Sequence, residues 1–250
     1  MKGKSYFIVI FLLYLTTTAL ALMSQDSEKA ESITISGRVS DFEGQPIEGA
    51  SVFLKDDRFN DIATAISDKD GVYSMTVPKG RYMSLVAVKD YQVKYLEYWA
   101  WSVPAFKDLK INPRFDRMEV YAMNAWRPQG AYPSYQIYFR PMSLSMAKTA
   151  IEKAGGMEKL NALPVIDIAP KLEKDNIEVT IDNRHVQILE INRVREASGS
   201  NQYMFGYLIQ VALPEKTEDD TYSVITITLS DPETGEKGEG CLFVRSQNSD

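Results

Sequence analysis

The sequence predicts an all-β protein built as two β-sandwich domains, the second carrying a short helical insert. Three observations lead there. Apolar and polar residues alternate with period two at 33–39, 177–181, 207–213 and 225–229, which puts one face of each strand in a core and the other toward water. Turn chemistry separates these runs: Asp41 to Gly44, Asp70-Gly71, Pro78 to Gly80, Asp182-Asn183 and Asp231 to Gly235. Charged residues make up 25% of the 250-residue chain and hydrophobic ones 44%, as in packed globular proteins, which excludes a disordered or fibrous chain.

The first segment precedes the fold. Lys2 and Lys4 lead an uncharged apolar run at 6–15, and Ala19-Leu20-Ala21 offers small residues at the positions a signal peptidase reads. A signal peptide over 1–21 is expected, then a flexible polar leader over 22–32. The apolar run is short of the roughly 20 residues that a spanning helix needs. An uncleaved anchor is the alternative. No Cys follows the run, so a lipid anchor is not expected. The expected location is secreted or periplasmic, with no membrane span after cleavage.

The strands at 33–111 can close one sandwich, assigned to 33–114. Asn112-Pro113 is a natural break, because proline restricts the residue before it and cannot continue a central strand. The second sandwich is assigned to 115–246. Within it, Met146, Ala150, Ile151 and Ala154 form a helical stripe, with Ser145 as the expected N-cap and Gly155-Gly156 as the stop. The helical insert is placed at about 143–163. A boundary near 143 is the alternative, if the aromatic strands at 117–140 belong to the first domain.

A motif series spans the first sandwich. It runs Gly37-x-Val39-x-Asp41-x-x-Gly44-x-Pro46-Ile47-x-Gly49-Ala50-x-Val52, then Thr64 to Asp68-x-Asp70-Gly71-x-Tyr73, then Val77-Pro78-x-Gly80-x-Tyr82. In this order the series resembles the carboxypeptidase regulatory-like domain, a transthyretin-like (prealbumin-type) seven-stranded fold. Gly44, Gly71 and Gly80 stand where tight turns would need positive φ. The resemblance implies a scaffold without catalysis. Zinc carboxypeptidases carry a separate catalytic domain with two histidines and a glutamate, and the related hydroxyisourate hydrolases also need two histidines; this chain has one His. The second sandwich resembles an immunoglobulin-like domain on strand count alone.

Composition narrows the chemistry further. A formal charge of −6 argues against a general positive field for nucleic acid. One Cys and one His exclude a disulfide framework within the chain and the common zinc ligand sets. Cys241 lies in an apolar strand-like run and reads as a buried thiol. His185 follows Asp182 to Arg184 in a hairpin and reads as a surface turn residue. Asp56, Asp57, Asn60, Asp61, Asp68 and Asp70 have the chemistry of calcium ligands but match only part of a calcium loop, so turn capping is the simpler reading. No metal and no cofactor are expected.

About half of the aromatic residues, all three Trp among them, fall between Tyr91 and Phe139. Flat aromatic faces stack on sugar rings. The candidate ligand-binding residues are Tyr98, Trp99, Trp101, Trp126, Arg127, Tyr132 and Tyr135, with Gln129 a further donor. Alternation along 98–101 puts Trp99 and Trp101 on one strand face and Tyr98 on the other. The same aromatics would also serve as core or inter-domain packing. Arg114, Arg117, Arg127 and Arg140 flank the region, as anion-binding groups or as inter-domain ion pairs. The function expected is that of a non-catalytic binding protein of the cell envelope, with a glycan or an envelope protein as partner. The alternatives are a structural spacer or bracing module of a surface complex and, more distantly, a hydrolase with a dispersed carboxylate pair.

Overall fold

The computed structural model describes residues 31–130, 132–198, 201–214 and 221–245. The expected signal peptide and nearly all of the leader lie outside the described residues. Seven strands come first: β1 (Ser32–Arg38), β2 (Ser51–Lys55), β3 (Asp61–Ile66), β4 (Val72–Pro78), β5 (Gly80–Val88), β6 (Tyr98–Ala105) and β7 (Leu109–Lys110). The second half holds β8 (Met118–Trp126), β9 (Ser134–Ser143), α1 (Leu144–Ala154), α2 (Met157–Asn161), a 3₁₀ turn (Lys174–Asn176), β10 (Ile177–Ile181), β11 (Arg184–His185), β12 (Ile188–Ala197), β13 (Tyr203–Ala212), β14 (Tyr222–Ser230) and β15 (Lys237–Arg245). The protein is all-β.

The strands form three sheets: β4-β1-β7, an eight-stranded sheet β11-β10-β14-β15-β6-β5-β2-β3, and β12-β13-β9-β8. The eight-stranded sheet is the middle layer, and each of its faces buries a different core. Ile35, Tyr73, Val77, Leu54 and Leu85 centre the first core, and Val120, Ile137, Phe139, Ile209 and Ile227 the second. Single strands feed both. On β6, Tyr98 and Ala100 enter the first core while Trp99 and Trp101 enter the second; on β15, Cys241 and Phe243 enter the first and Leu242 the second. Period-two geometry makes this automatic for a strand covered on both faces.

The chain passes from one half to the other between β7 and β8, where 112–116 falls. The middle sheet nevertheless runs across that point, because β15 pairs in parallel with β6 through Gly240↔Trp99, Cys241↔Ala100 and Leu242↔Trp101. β8 then lies directly over β15. A Cβ at Gly238 would sit 2.4 Å from the Met118 carbonyl oxygen, so only glycine permits that approach. Ion pairs reinforce the junction. The Arg114 guanidinium binds Glu239, with Nε 3.1 Å from Oε2, and Arg117 Nε lies 3.0 Å from Glu236 Oε1.

The helical insert is present, but its cap differs from the expectation. Ser143, not Ser145, is the N-cap and accepts from the Met146 N–H; Gly155 ends α1 at φ 77°. Ser145 is drawn away, because its Oγ donates to Glu236 Oε1 at 2.5 Å. In the first half Gly44 and Gly71 have positive φ as expected. Gly80 does not; it opens β5 in extended pairing with Ala105. At Gly71, with φ 77°, a Cβ would also lie 2.3 Å from the Val39 carbonyl oxygen.

Candidate functional site

β6 is an interior strand with layers above and below it, and this decides the fate of its aromatics. Trp99 and Trp101 stack with centroids 4.9 Å apart and planes 11° off parallel, and Tyr121 of β8 meets both edge-on at 5.0 and 5.3 Å. Tyr98 is buried on the opposite face with its hydroxyl 3.2 Å from Cys241 Sγ. The expected single platform is therefore divided: Tyr98, Trp99 and Trp101 are all buried, and of the three only Trp101 reaches a cleft. Tyr135 of β9 is also buried. Trp126, 48% exposed at the end of β8, Arg127 and Tyr132, 65% exposed, remain at the surface.

Two backbone irregularities open a depression beside the stack. Ser102 in β6 has φ 58° and Ala122 in β8 has φ 54°. Side-chain alternation breaks at both points: two residues after Trp101 of the second core, Val103 lies in the first, and three residues after Val120, Met123 lies in the second again. In β8 the pairing with β9 shifts between Tyr121 and Asn124, a bulge that bends the strand. A left-handed non-glycine residue costs roughly 1–2 kcal/mol. Phe59, in the β2–β3 turn, has φ 63° as well.

All three residues line one cleft of about 850 Å³, together with Arg81, Tyr82 and Met83 of β5, Trp101, Tyr121, Asn124, Arg140 and Glu196, and Asp56 and Asp57. A second depression of about 270 Å³ adjoins it and shares Arg81, Ser102 and Asn124; its other walls include Trp126, Arg127, Tyr135, Phe243 and Arg245. Of the seven residues singled out in the sequence, Trp126, Arg127 and Tyr135 meet at the smaller depression, Trp101 reaches the larger, and Tyr132, Tyr98 and Trp99 line neither.

A charged network sets the floor of the larger cleft. Arg140 Nη1 lies 3.1 Å from Glu196 Oε1, its guanidinium carbon 4.6 Å from the centre of the Tyr121 ring, and the Tyr138 hydroxyl donates to Glu196 Oε2 at 2.5 Å. Arg140 Nε and Trp101 Nε1 are buried with no hydrogen-bond partner among the described residues. Behind them Glu119 is buried, and burial, with the Glu97 carboxylate adding to it, pushes its pKa from the ordinary 4.5 up to about 8 against the opposing pull of Arg140. The Glu97 N–H points at Glu119 Oε2 from 3.4 Å. Burial also raises Glu97, opposed by its hydrogen bond with Trp99 Nε1 at 3.2 Å.

The remaining candidates are placed as follows. Asp56 accepts from the N–H groups of Arg58 and Asn60, and Asp68 from those of Asp70 and Val72. Asp61 pairs with Lys55 and Asp70 with Lys69. Asp56 and Asp68 thus cap turns, and Asp61 and Asp70 are neutralised by lysines. Among the described residues, no group of three or more His, Cys, Asp or Glu side chains is arranged to hold a metal ion. His185 is exposed, 3.4 Å from Glu178. Cys241 is buried, and burial pushes its thiol up to about 12, far from a reactive thiolate.

Residues 34–111 match the carboxypeptidase regulatory-like domain. That stretch supplies Asp56, Asp57, Phe59, Arg81, Tyr82, Met83, Trp101 and Ser102 to the larger cleft, and the second half supplies the rest. No curated protein matches the chain. Solved structures similar to it include a DUF3823 family protein from Bacteroides ovatus (9% identity, 87% of this chain and 97% of that one, TM-score 0.27). A DUF3823 family protein from Parabacteroides merdae (11%, 87% and 100%, TM-score 0.26) is another. A third is BcpA, the major pilin subunit of Bacillus cereus (10%, 86% and 69%, TM-score 0.28). Among the described residues no helix is long and apolar enough to cross a membrane.

Sequence reasoning missed Arg81, Tyr82, Ser102, Tyr121, Asn124 and Glu196 as cleft residues. Tyr82 was legible only as a motif position of the regulatory-like domain. Ser102 and Ala122 carry no sequence signal for positive φ, since neither is Gly, Asn or Asp.

Proposed function

We propose that this is an exported, non-catalytic binding protein of the cell envelope that takes a glycan along the two adjoining depressions. The observation that carries the reading is the cleft at the bulges of β6 and β8. It pairs aromatic surface at Tyr82 and Tyr121 with fixed polar groups at Arg81, Asn124 and Arg140, and the exposed Trp126 stands over the adjoining depression. Flat rings beside convergent donors suit a sugar ring, and the cleft volume falls in the range of roughly 300–1,000 Å³ found for small-ligand sites.

The test is a glycan array followed by fluorescence titration of wild type, Trp126→Ala and Tyr121→Ala. Binding that is lost in both variants, with the fold intact by circular dichroism, supports the reading. An array without any hit removes the glycan and leaves the bracing role. A specific observation favours that second reading: the buried Trp99–Trp101 pair meets the half-buried Tyr121 where β6 of the first half meets β8 of the second, so these rings join the two halves.

A further inference from the structure

The smaller depression has a charge that the protein as a whole does not. The chain is acidic, at −6, yet Arg81, Arg127 and Arg245 all line this one depression and no Asp or Glu does. The three come from separate places: the start of β5, the residue after β8, and the end of β15. They are brought together only because β15 returns beside β6 and β8 lies over it. Elsewhere the arginines of this region have carboxylate partners: Arg114 with Glu239, Arg117 with Glu236, Arg140 with Glu196 and Arg193 with Asp167. Arg81, Arg127 and Arg245 have no ion pair among the described residues. Like charges gathered without a paired carboxylate repel one another and lower stability; the nearest acids stand off, Asp182 beyond Tyr135 and Asp56, Asp57 and Glu196 in the larger cleft that Arg81 also lines. The three arginines therefore form a surface that gains energy when an anion arrives.

The immediate surroundings shape that anion. Trp126 is a half-open ring and Tyr135 a buried backing, while Asn124 adds a neutral amide. A planar guanidinium matches a carboxylate or sulfate through two parallel hydrogen bonds. A ring beside it suits the carbohydrate that carries the group. The shared residues Arg81, Ser102 and Asn124 connect this depression to the larger cleft, so one chain can occupy both.

We infer that the smaller depression is the subsite for an acidic sugar, and that the ligand of the cleft is an anionic glycan bearing uronate or sulfate groups. The inference rests on the glycan reading given above and narrows it. It commits to a polymer-borne anion, and free inorganic anions are a separate outcome.

The experiment uses the protein purified from its own export route. An array carrying polygalacturonate oligomers, sulfated oligosaccharides and their neutral counterparts is probed at low and high sodium chloride. Hits confined to the acidic members, weakened by salt, are expected. In titrations with the acidic hit, Arg127→Gln and Arg81→Gln should each weaken binding by about tenfold or more, the scale of a charge-assisted contact. Both residues are exposed, so circular dichroism should be unchanged. Arg58→Gln, an exposed arginine outside both depressions, serves as the control and should bind as wild type. Sulfate ion at matched ionic strength should compete no better than chloride. Hits on neutral glycans alone, or acidic binding indifferent to both arginine variants, overturn the acidic subsite while the glycan reading stands. Displacement by sulfate ion alone marks a simple anion site and overturns the inference as well. No hit of any kind overturns both.

Discussion

On the face of the middle sheet turned toward β1 and β4, buried polar groups are answered from within. The Tyr73 hydroxyl donates to the Ile111 carbonyl at 2.8 Å, Ser67 Oγ to that of Ile47 at 2.6 Å, and the Tyr98 hydroxyl meets Cys241 Sγ. The buried Glu239 has Arg114 and the Thr228 hydroxyl as partners. On the other face the finish is incomplete. Trp101 Nε1 and Arg140 Nε have no partner among the described residues, and Glu119 is buried beside a second carboxylate, Glu97. An unanswered buried polar group costs about 1–3 kcal/mol. A protein keeps such costs where something other than packing is being served. The difference is one of finish: the first core is closed on itself, and the edge of the second, where the proposed cleft lies, carries the unanswered groups.

The largest effect is expected from separating the two cores. A fragment of residues 31–114 keeps the strands of the regulatory-like domain but loses Cys241 and Phe243 from the first core. It also exposes Trp99 and Trp101, which β8 covers. Such a fragment is expected to be unfolded or aggregated by circular dichroism and light scattering. A cooperatively folded monomer with the melting temperature of the whole chain would mean that the shared sheet contributes nothing to the first core.

Next come the tryptophans. Trp101→Ala removes a buried ring that stacks on Trp99 and takes the edge-on contact of Tyr121, and should cost about 3–5 kcal/mol, as large core truncations do. Trp126→Ala removes a half-exposed ring and should cost about 1 kcal/mol or less. Urea midpoints measure both. Equal losses would place Trp126 in the core and remove it from any ligand surface.

These residues also show what could be read in advance. Alternation along 98–101 was legible, and the structure keeps it: Trp99 and Trp101 share one face of β6 and Tyr98 takes the other. The regulatory-like motif was legible for the same kind of reason, because its turns and strands are local. What a strand faces is not local. That β6 would lie inside an eight-stranded sheet depends on β15, more than 130 residues later, so the burial of both faces left no mark at 98–101. The cleft was illegible on the same ground. Its residues come from the β2–β3 turn and from β5, β6, β8, β9 and β12, and two of its makers, Ser102 and Ala122, are residue types without left-handed preference.

The buried glutamate offers a pH-dependent test of the second face. In the native protein Glu119 holds its proton up to about pH 8, whereas the unfolded chain releases it near 4.5. The unfolded state thus binds fewer protons in this interval, and stability falls as pH rises from about 4.5 toward 8. Each pH unit inside the window costs about 1.4 kcal/mol, so the cost at pH 7 is about 3 kcal/mol. Glu119→Gln keeps an acceptor for the Glu97 N–H and removes the titration. It should stabilise the protein by that order at pH 7 and by almost nothing at pH 4, read from urea midpoints at the two values. A variant equally stable or less stable than wild type at pH 7 would show that the carboxylate is ionised and satisfied, and the contrast between the two faces would lose one of its supports.

The smallest effect tests the strain itself, by comparing two alanines. Ala122, half-buried in the β8 bulge, is held at φ 54°; Ala50 is fully buried in the first core and lacks positive φ. Glycine at position 122 relieves the left-handed penalty of roughly 1–2 kcal/mol but adds freedom to the unfolded chain, worth about 0.4–1 kcal/mol. Ala122→Gly should therefore gain on the order of 0.5 kcal/mol. Ala50→Gly has no strain to relieve, loses a packed methyl group and adds the same unfolded-state freedom, so it should lose about 1–2 kcal/mol. The opposite signs are the prediction, and a pair of urea titrations reads them. The bulge itself should survive Ala122→Gly, because Met123 stays anchored in the second core and the shifted pairing with β9 does not depend on the methyl group. Ligand affinity is then expected to fall slightly, since a freer backbone at 122 holds Tyr121 and Asn124 less firmly before the ligand arrives. Stability lost at both positions would mean that the left-handed turn at Ala122 stores no strain, and that the opening of the cleft comes from side-chain packing alone.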